Sequence, residues 1–400
     1  MTNIYAALEI GTSRTVLAVA EAQTGQRLKL TCHASIPSTG VRKSQIFDIA
    51  QAAHSVRSVL KEIERKQLAS GNSLTIGNAF LVVSGQHVKA DMFQGTAQIA
   101  RRTVSNEDIE EAVRSSRAMT LPRERELLDV LDRAYSVDEF GGIASPKGMA
   151  GRILKLDTLH IHAEANRIND ARTAAGEAHL ELRDPLFAAT CAADAVLSDA
   201  DRRDGALVLD LGGGSTGYAV YADGFVAGTG VIGVGGDHLT NDIATAFQTT
   251  QAQAEELKLK EACALLTGRD GSGTRVCVPG FSAAMDRRTI SRHALDTVVN
   301  ARCRELLGIV RESVEDLGLL HRLHAGVVLT GGGAALAGLD ELVRRELGAD
   351  VRLGVPLHID GVGDQGAPAT FAAILGALMY AHRNYEEKGF FQSLFGGFKK

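Results

Sequence analysis

The sequence predicts an α/β protein of two related lobes, and three observations carry that expectation. A strand-and-glycine unit occurs twice, since Ala7 to Thr15 recurs as Val208 to Thr216 with acid, glycine and threonine in matching positions. A glycine turn of a different kind, Gly331 to Gly333, follows late in the chain. The 400 residues are 45% hydrophobic and 23% charged, enough for more than one buried core and unlike a disordered chain.

In each repeat an apolar run ends in a carboxylate, Glu9 or Asp210, and a small-residue turn, Gly11-Thr12-Ser13 or Gly212-Gly213-Gly214-Ser215-Thr216. Alternation then resumes over Val16 to Ala20 and over Gly217 to Tyr221, so each turn joins two strands of a hairpin. A dinucleotide fold or a P-loop would send the chain from glycine into a helix, and both are excluded. Such hairpins present N–H groups and hydroxyls in a nest suited to phosphate oxygens, with glycine expected for positive φ and close approach. Two of them facing each other would clamp a polyphosphate, and Glu9 and Asp210 would tolerate it through a hydrated Mg2+. In the third turn, Val327 to Thr330 runs into Gly331, Gly332, Gly333 and Ala334, and Leu336, Leu339, Leu342, Val343 and Leu347 follow at helical spacing. This reads as strand, turn and helix, with a nucleoside or phosphate close to the backbone at the helix start.

The formal charge of -5 and the lack of a basic stripe interleaved with aromatics exclude nucleic acid as a partner. The five cysteines show no paired spacing and suit a reducing compartment. Met1 to Tyr5 does not open a signal peptide, and no apolar run is long enough to span a bilayer, so a cytoplasmic protein is expected. His87, His160 and His162 read as hydrogen-bonded structural residues rather than metal ligands.

The order and spacing of the three glycine turns resemble the two phosphate motifs and the adenosine motif of the actin-fold ATPases. Within that superfamily the chain resembles FtsA, the bacterial cell-division protein, over nearly its whole length. The most specific stretch runs from Tyr135-Ser136-Val137-Asp138 through Gly142, Ile143, Pro146, Gly148 and Met149 to Gly151, and Phe80 to His87 matches the strand and turn before it. The resemblance implies two lobes of duplicated ribonuclease-H-like domains, an FtsA-type subdomain 1C and a C-terminal amphipathic helix. It places 1A at 1–84, 164–203 and 365–386, 1C at 85–163, 2A at 204–245 and 303–364, 2B at 246–302, and a membrane-targeting tail at 387–400. Locally, Ser105 caps a helix with Asp108 three residues on, and Ile109, Ala112 and Val113 face inward.

The resemblance also implies ATP and Mg2+ as cofactors. Gly235 to Ile243 looks like the segment after the second phosphate hairpin, and Glu255 and Lys258 are given the ribose hydroxyls. Without the resemblance that pair would be an ordinary solvated i,i+3 ion pair. Arg287, Arg288, Arg292 and Arg302 form a basic cluster in the outer subdomain that receives the acidic C-terminal peptide of FtsZ in the family, Arg292 matching best. Subdomain 1C would meet other division proteins, and the fold commonly forms filaments of itself.

At the end of the chain, Phe390, Phe391, Leu394, Phe395 and Phe398 share a helical face, followed by Lys399 and Lys400. Burying such side chains is worth roughly 1.5 kcal/mol each, against about 1 kcal/mol for each internal glycine, so the helix forms when lipid supplies the burial. Docking on the protein's own core is the competing reading. The spacer from about Arg383 to Lys388 looks shorter than the family's. Leu186 to Ala193 holds no Glu or Gln to position a water, so ATP turnover is expected to be slow at most, and Asp194 is a weak alternative acid. The expected role is a peripheral tether of FtsZ filaments at the inner face of the cell membrane, with a PilM-like pilus protein or a small-molecule kinase of the same fold as alternatives.

Overall fold

The structure is a computed structural model that describes residues 2–23, 27–71, 75–266, 274–278, 288–363 and 368–395, with side chains up to residue 384. Two sheets dominate it, and they repeat one topology. In the first, Thr2–Ile10 pairs antiparallel with Arg14–Gln23, which pairs antiparallel with Leu28–Pro37. On its other side Thr2–Ile10 runs parallel to Asn78–Val83, which runs parallel to Glu181–Phe187. In the second, Ala206–Leu211, Thr216–Ala222 and Phe225–Ile232 form the same antiparallel meander, and Gly326–Thr330 and Val351–Leu353 add the same parallel flank. Strands buried on both faces give the continuous apolar runs seen in the sequence: Leu8, Leu17, Val19, Val208, Leu209 and Val328 are all fully buried.

Each sheet has a core of its own on one face, and a further core joins both sheets through the helices between them. Val56, Val59 and Ile63 of helix Ile49–Ala69 close the first sheet on one side. Leu295, Val299, Leu306 and Val310 of helix Arg292–Asp316 close the second, together with Leu339, Leu342 and Val343. Between the lobes, helix Ala188–Val196 leaves the first sheet and helix Ala372–Phe395 returns to it. The two cross so closely that a Cβ on Gly376 would lie 1.7 Å from the Cys191 carbonyl oxygen.

A separate module is inserted after Val83. Its sheet runs in the order Lys89–Gln98, Ile153–Glu164, Arg125–Val137 and Phe140–Ile143, with helix Asn106–Arg117 packed on it. Ser105 caps that helix: its Oγ accepts from the Asp108 N–H at 3.3 Å, and the Asp108 carboxylate accepts from the Ser105 N–H at 2.8 Å. Ala112 is fully buried against the sheet, with Ile109 and Val113 packed beside it. An outer unit on the second lobe comprises helices Gly236–Ala246 and Gln251–Lys260 and the ribbon Arg275–Val278 with Arg288–Ser291.

Residues Arg383 to Lys388, read as a short spacer before the tail, lie within one helix that runs from Ala372 to Phe395. One expectation is corrected: the third glycine turn does not itself start a helix. Gly332–Ala335 form a short 3-10 turn and helix Leu339–Leu347 begins only after Gly338, itself at φ 70°.

Candidate functional site

The two hairpin turns are equivalent in backbone detail. The Gly11 N–H donates to the Arg14 carbonyl and the Gly212 N–H to the Ser215 carbonyl, each at 3.0 Å. A Cβ on Gly11 would sit 2.9 Å from Arg14 O, and one on Gly212 2.9 Å from Ser215 O. Crowding against the turn's own carbonyl therefore explains these glycines. The expected positive φ is not their reason, since neither they nor Gly213 and Gly214 adopt it, whereas Gly331 does at 77°. There a Cβ would strike Leu211 O at 2.6 Å and the Asp210 carboxylate at 2.7 Å, so the third turn closes onto the end of the second hairpin's first strand.

The turns face one another across the lobes and line a cleft of about 460 Å³, within the range of small-molecule and cofactor sites. Gly11, Thr12, Ser13, Gly212, Gly213, Gly214, Ser215, Glu255, Lys258, Gly331, Gly332 and Gly333 all line it, as do Glu9 and Asp210. Thr216 and Ala334 are buried behind the lining, Thr216 donating to the Val234 carbonyl at 2.8 Å.

Glu9 and Asp210 oppose each other at the closed end. Burial, and then the neighbouring Asp210 charge, push the Glu9 carboxyl up to about 8. Burial raises Asp210 to about 6, partly offset by the Thr330 hydroxyl at 3.3 Å. Two desolvated carboxylates with raised proton affinity form a hard-oxygen donor pair that a divalent cation would satisfy. Among the described residues no group of three or more His, Cys, Asp or Glu could hold a metal. Glu9 and Asp210 fit an ion such as Mg2+, which takes one or two carboxylates and draws its remaining ligands from phosphate and water.

Farther out, Glu255 and Lys258 close on each other at 2.6 Å. The Thr240 hydroxyl donates to Glu255 at 2.5 Å, and Lys258 also reaches the Gly236 carbonyl at 3.1 Å. The fork is thus held by the preceding helix. Beyond it, the Ala264 N–H donates to Ala337 O at 2.8 Å, zipping the end of the third turn to the segment after Lys260.

The arginines do not act as one cluster. Arg292 lines the cleft and is bonded to both the carbonyl and the carboxylate of Glu261. Arg302 makes a two-pronged pair with Asp242 at 2.6 and 3.1 Å and also reaches Glu305. Arg288 donates to the Gln248 carbonyl. Arg287 lies outside the described residues. Asp194 is not among the residues lining the cleft and is ion-paired with Arg202 at 2.8 Å and Arg383 at 2.5 Å. The side chains of Phe390, Phe391, Leu394 and Phe395, and residues Phe398, Lys399 and Lys400 altogether, lie outside the described residues. No helix among the described residues is long and apolar enough to cross a membrane.

The histidines have local partners or burial rather than a shared centre. His162 bonds Asp91 at 2.8 Å and His160 bonds Thr158 at 3.1 Å, while His87 is buried with its Nδ1 unpaired. Two cleft residues escaped the sequence reading. Asp237 follows Gly235 and Gly236 at a helix start, its acidity weakened by burial. Ser44 arrives from the tip of a two-residue turn and touches both glycine hairpins.

Two lobes of one topology, closing glycine hairpins and paired carboxylates on a common cleft, define an actin-like protein. Solved structures share this fold: the PilM–PilN type IV pilus biogenesis complex at a TM-score of 0.66 and 18% identity, covering 94% of this chain and 98% of that one. MreB5 of Spiroplasma citri, solved bound to ADP, gives a TM-score of 0.54 at 13% identity over 96% of this chain and 98% of that one. The chain belongs to the FtsA family. It is 32% identical to the cell division protein FtsA of Pseudomonas aeruginosa over 93% of this chain and 88% of the relative, and 30% identical to that of Escherichia coli over 94% and 90%. The family model of cell division protein FtsA matches residues 207–376, and that of the SHS2 domain inserted in FtsA matches residues 85–162.

Proposed function

We propose that this cell-division protein binds ATP with Mg2+, polymerises, and ties FtsZ filaments to the cytoplasmic face of the membrane through its C-terminal segment. The observation that carries the nucleotide part is the opposition of two backbone-equivalent hairpins with Glu9 and Asp210 between them. Gly11 to Ser13 and Gly212 to Ser215 would cradle the phosphates, Glu255 and Lys258 the ribose, and Gly331 to Ala334 the nucleoside, with Asp210 and Glu9 holding the cation through water. The MreB5 structures, bound to ADP and to AMPPNP, supply nucleotide precedent for the fold. Leu186 to Ala193 offers no water-positioning acid or amide, which supports slow turnover at most.

The partner reading shifts within the arginines. Arg292 belongs to the cleft wall, so Arg302, with Arg288, is the better candidate for an acidic FtsZ peptide, which would compete with Asp242 for the guanidinium. Contacts with other division proteins are assigned to the inserted module. A single short anchor binds lipid weakly, so attachment depends on filaments that align several tails. The PilM alternative rests on fold likeness alone, and identity near one third over nearly the whole chain favours the division role.

Calorimetric titration with Mg–AMPPNP tests the cleft: no heat and no thermal shift at millimolar ligand would end the nucleotide reading. Co-sedimentation with anionic liposomes, comparing the full chain with one ending at Lys388, tests the tether. Equal pelleting of the two would remove the anchor.

A further inference from the structure

We propose that Ser44 is a terminal-phosphate contact that makes the cleft prefer a nucleoside triphosphate over a diphosphate, an inference resting on the nucleotide reading above. Val41–Arg42 and Gln45–Ile46 form a minimal ribbon, pairing Val41 with Ile46 and Arg42 with Gln45. Its two-residue tip, Lys43 and Ser44, has φ of 47° and 58°. Both central residues of such a turn need positive φ, which favours Asn-Gly and penalises lysine and serine. A strained tip that carries a hydroxyl into a cleft points to a use for the hydroxyl.

The surroundings say what use. The Ser44 N–H donates to Thr12 Oγ1 at 2.7 Å, which fixes the tip on the first hairpin. Its Oγ stands 3.2 Å from Ser215 Oγ on the second hairpin and 3.4 Å from Thr12 Oγ1. Both distances are long for paired hydroxyls, so three hydroxyls from three segments meet without a strong acceptor among them. A phosphate oxygen would be that acceptor, and charge-assisted bonds would replace the weak contacts. A Cβ on Gly214 would fall 2.4 Å from Thr12 Oγ1 and 3.0 Å from Ser44 Oγ, so nothing larger than glycine leaves the hydroxyls accessible. Ser44 comes from neither glycine hairpin and lies where the two turns converge; with the nucleoside at Gly331 to Ala334, as proposed above, the outermost phosphate would reach this point. Gly85, at φ 121°, presses on the other side of the tip, where a Cβ would meet Ser44 Cβ at 2.7 Å. The residue that reads the terminal phosphate therefore abuts the root of the inserted module.

The experiment measures dissociation constants of Mg–AMPPNP and Mg–ADP for the wild type and for Ser44→Gly. Glycine suits the positive φ, so the variant should fold at least as stably as the parent, which a melting curve checks. The expected result is a loss of roughly ten- to a hundredfold in AMPPNP affinity with ADP affinity unchanged, the value of one hydrogen bond to a charged group. An unaltered ratio of the two affinities, or an equal loss for both nucleotides, overturns the assignment of Ser44. A wild type that binds neither nucleotide sinks the cleft reading instead, and the two failures are thereby told apart.

Discussion

Replacing Glu9 by glutamine should stabilise the unliganded protein at alkaline pH while weakening its response to a nucleotide and its cation. The Glu9 carboxyl moves from 4.5 to about 8 on folding, through burial first and the Asp210 charge second. Below pH 4.5 the group is protonated in both states and costs nothing. As pH rises from 4.5 to about 8 the unfolded chain releases the proton and the folded one keeps it, so stability is lost throughout that window. At pH 7 the cost is about 3 kcal/mol, each unit being worth about 1.4 kcal/mol. Glutamine does not titrate, and other groups that change with pH, His87 among them, cancel in the comparison. Urea unfolding followed by circular dichroism between pH 5 and 8 should show the variant's advantage growing steadily with pH. Saturating Mg–AMPPNP should stabilise the wild type increasingly with pH, because the cation removes the repulsion, and the variant by a nearly constant amount. Parallel pH profiles for the two proteins would refute the argument that Glu9 is held protonated beside Asp210.

The remaining predictions concern the packing and the partner surface. Gly376→Val should destabilise by about 3 kcal/mol or more in urea, since its Cβ would meet the Cys191 carbonyl at 1.7 Å and both partners are backbone-anchored. His87, 7% exposed, is pushed down to about 4 by burial, so its folded form resists protonation. Stability present above pH 6.5 is lost as pH falls toward 4, by about 3 kcal/mol, and His87→Leu should flatten that limb of the unfolding profile. Asp242→Asn should free Arg302 and tighten an acidic FtsZ-tail peptide several-fold by fluorescence anisotropy, while Arg302→Glu should abolish binding; indifference to both would move the peptide elsewhere.

The duplicated hairpins were legible because two local signals coincide there, a short apolar run on either side of the turn and a glycine forced by its own turn's carbonyl. The third turn was legible as a glycine turn but not as to where its helix starts. Leu336 packs on the second-lobe core from beyond a 3-10 turn, and apolar spacing alone does not distinguish that from an extra helical turn. Arg292 was singled out by the family resemblance, and its place in the cleft wall was not legible because its bonds to Glu261 are made across 31 residues. Ser44 and Asp237 were missed because long-range packing brings them in. The one available signal for Ser44 was a two-residue gap between Val41 and Ile46 at the end of short strands, and lysine and serine are poor residues for such a turn.

The helix crossing between the lobes joins the nucleotide cleft to the C-terminal segment. Ala188 and Ala373 line the cleft, one on each crossing helix, and a few residues along, Gly376 meets Cys191 backbone to side of helix. One turn further, Asp194 of the first helix accepts from Arg383 of the second at 2.5 Å and from Arg202, on the short helix leading into the second lobe, at 2.8 Å. Small residues bring two helices close enough for their backbones to leave no sliding room, and a shared carboxylate resists rotation about the contact. The helix carrying Arg383 continues to Phe395 without a break. The contacts that hold the two helices together thus lie on the same unbroken helix that leads to the C-terminal segment.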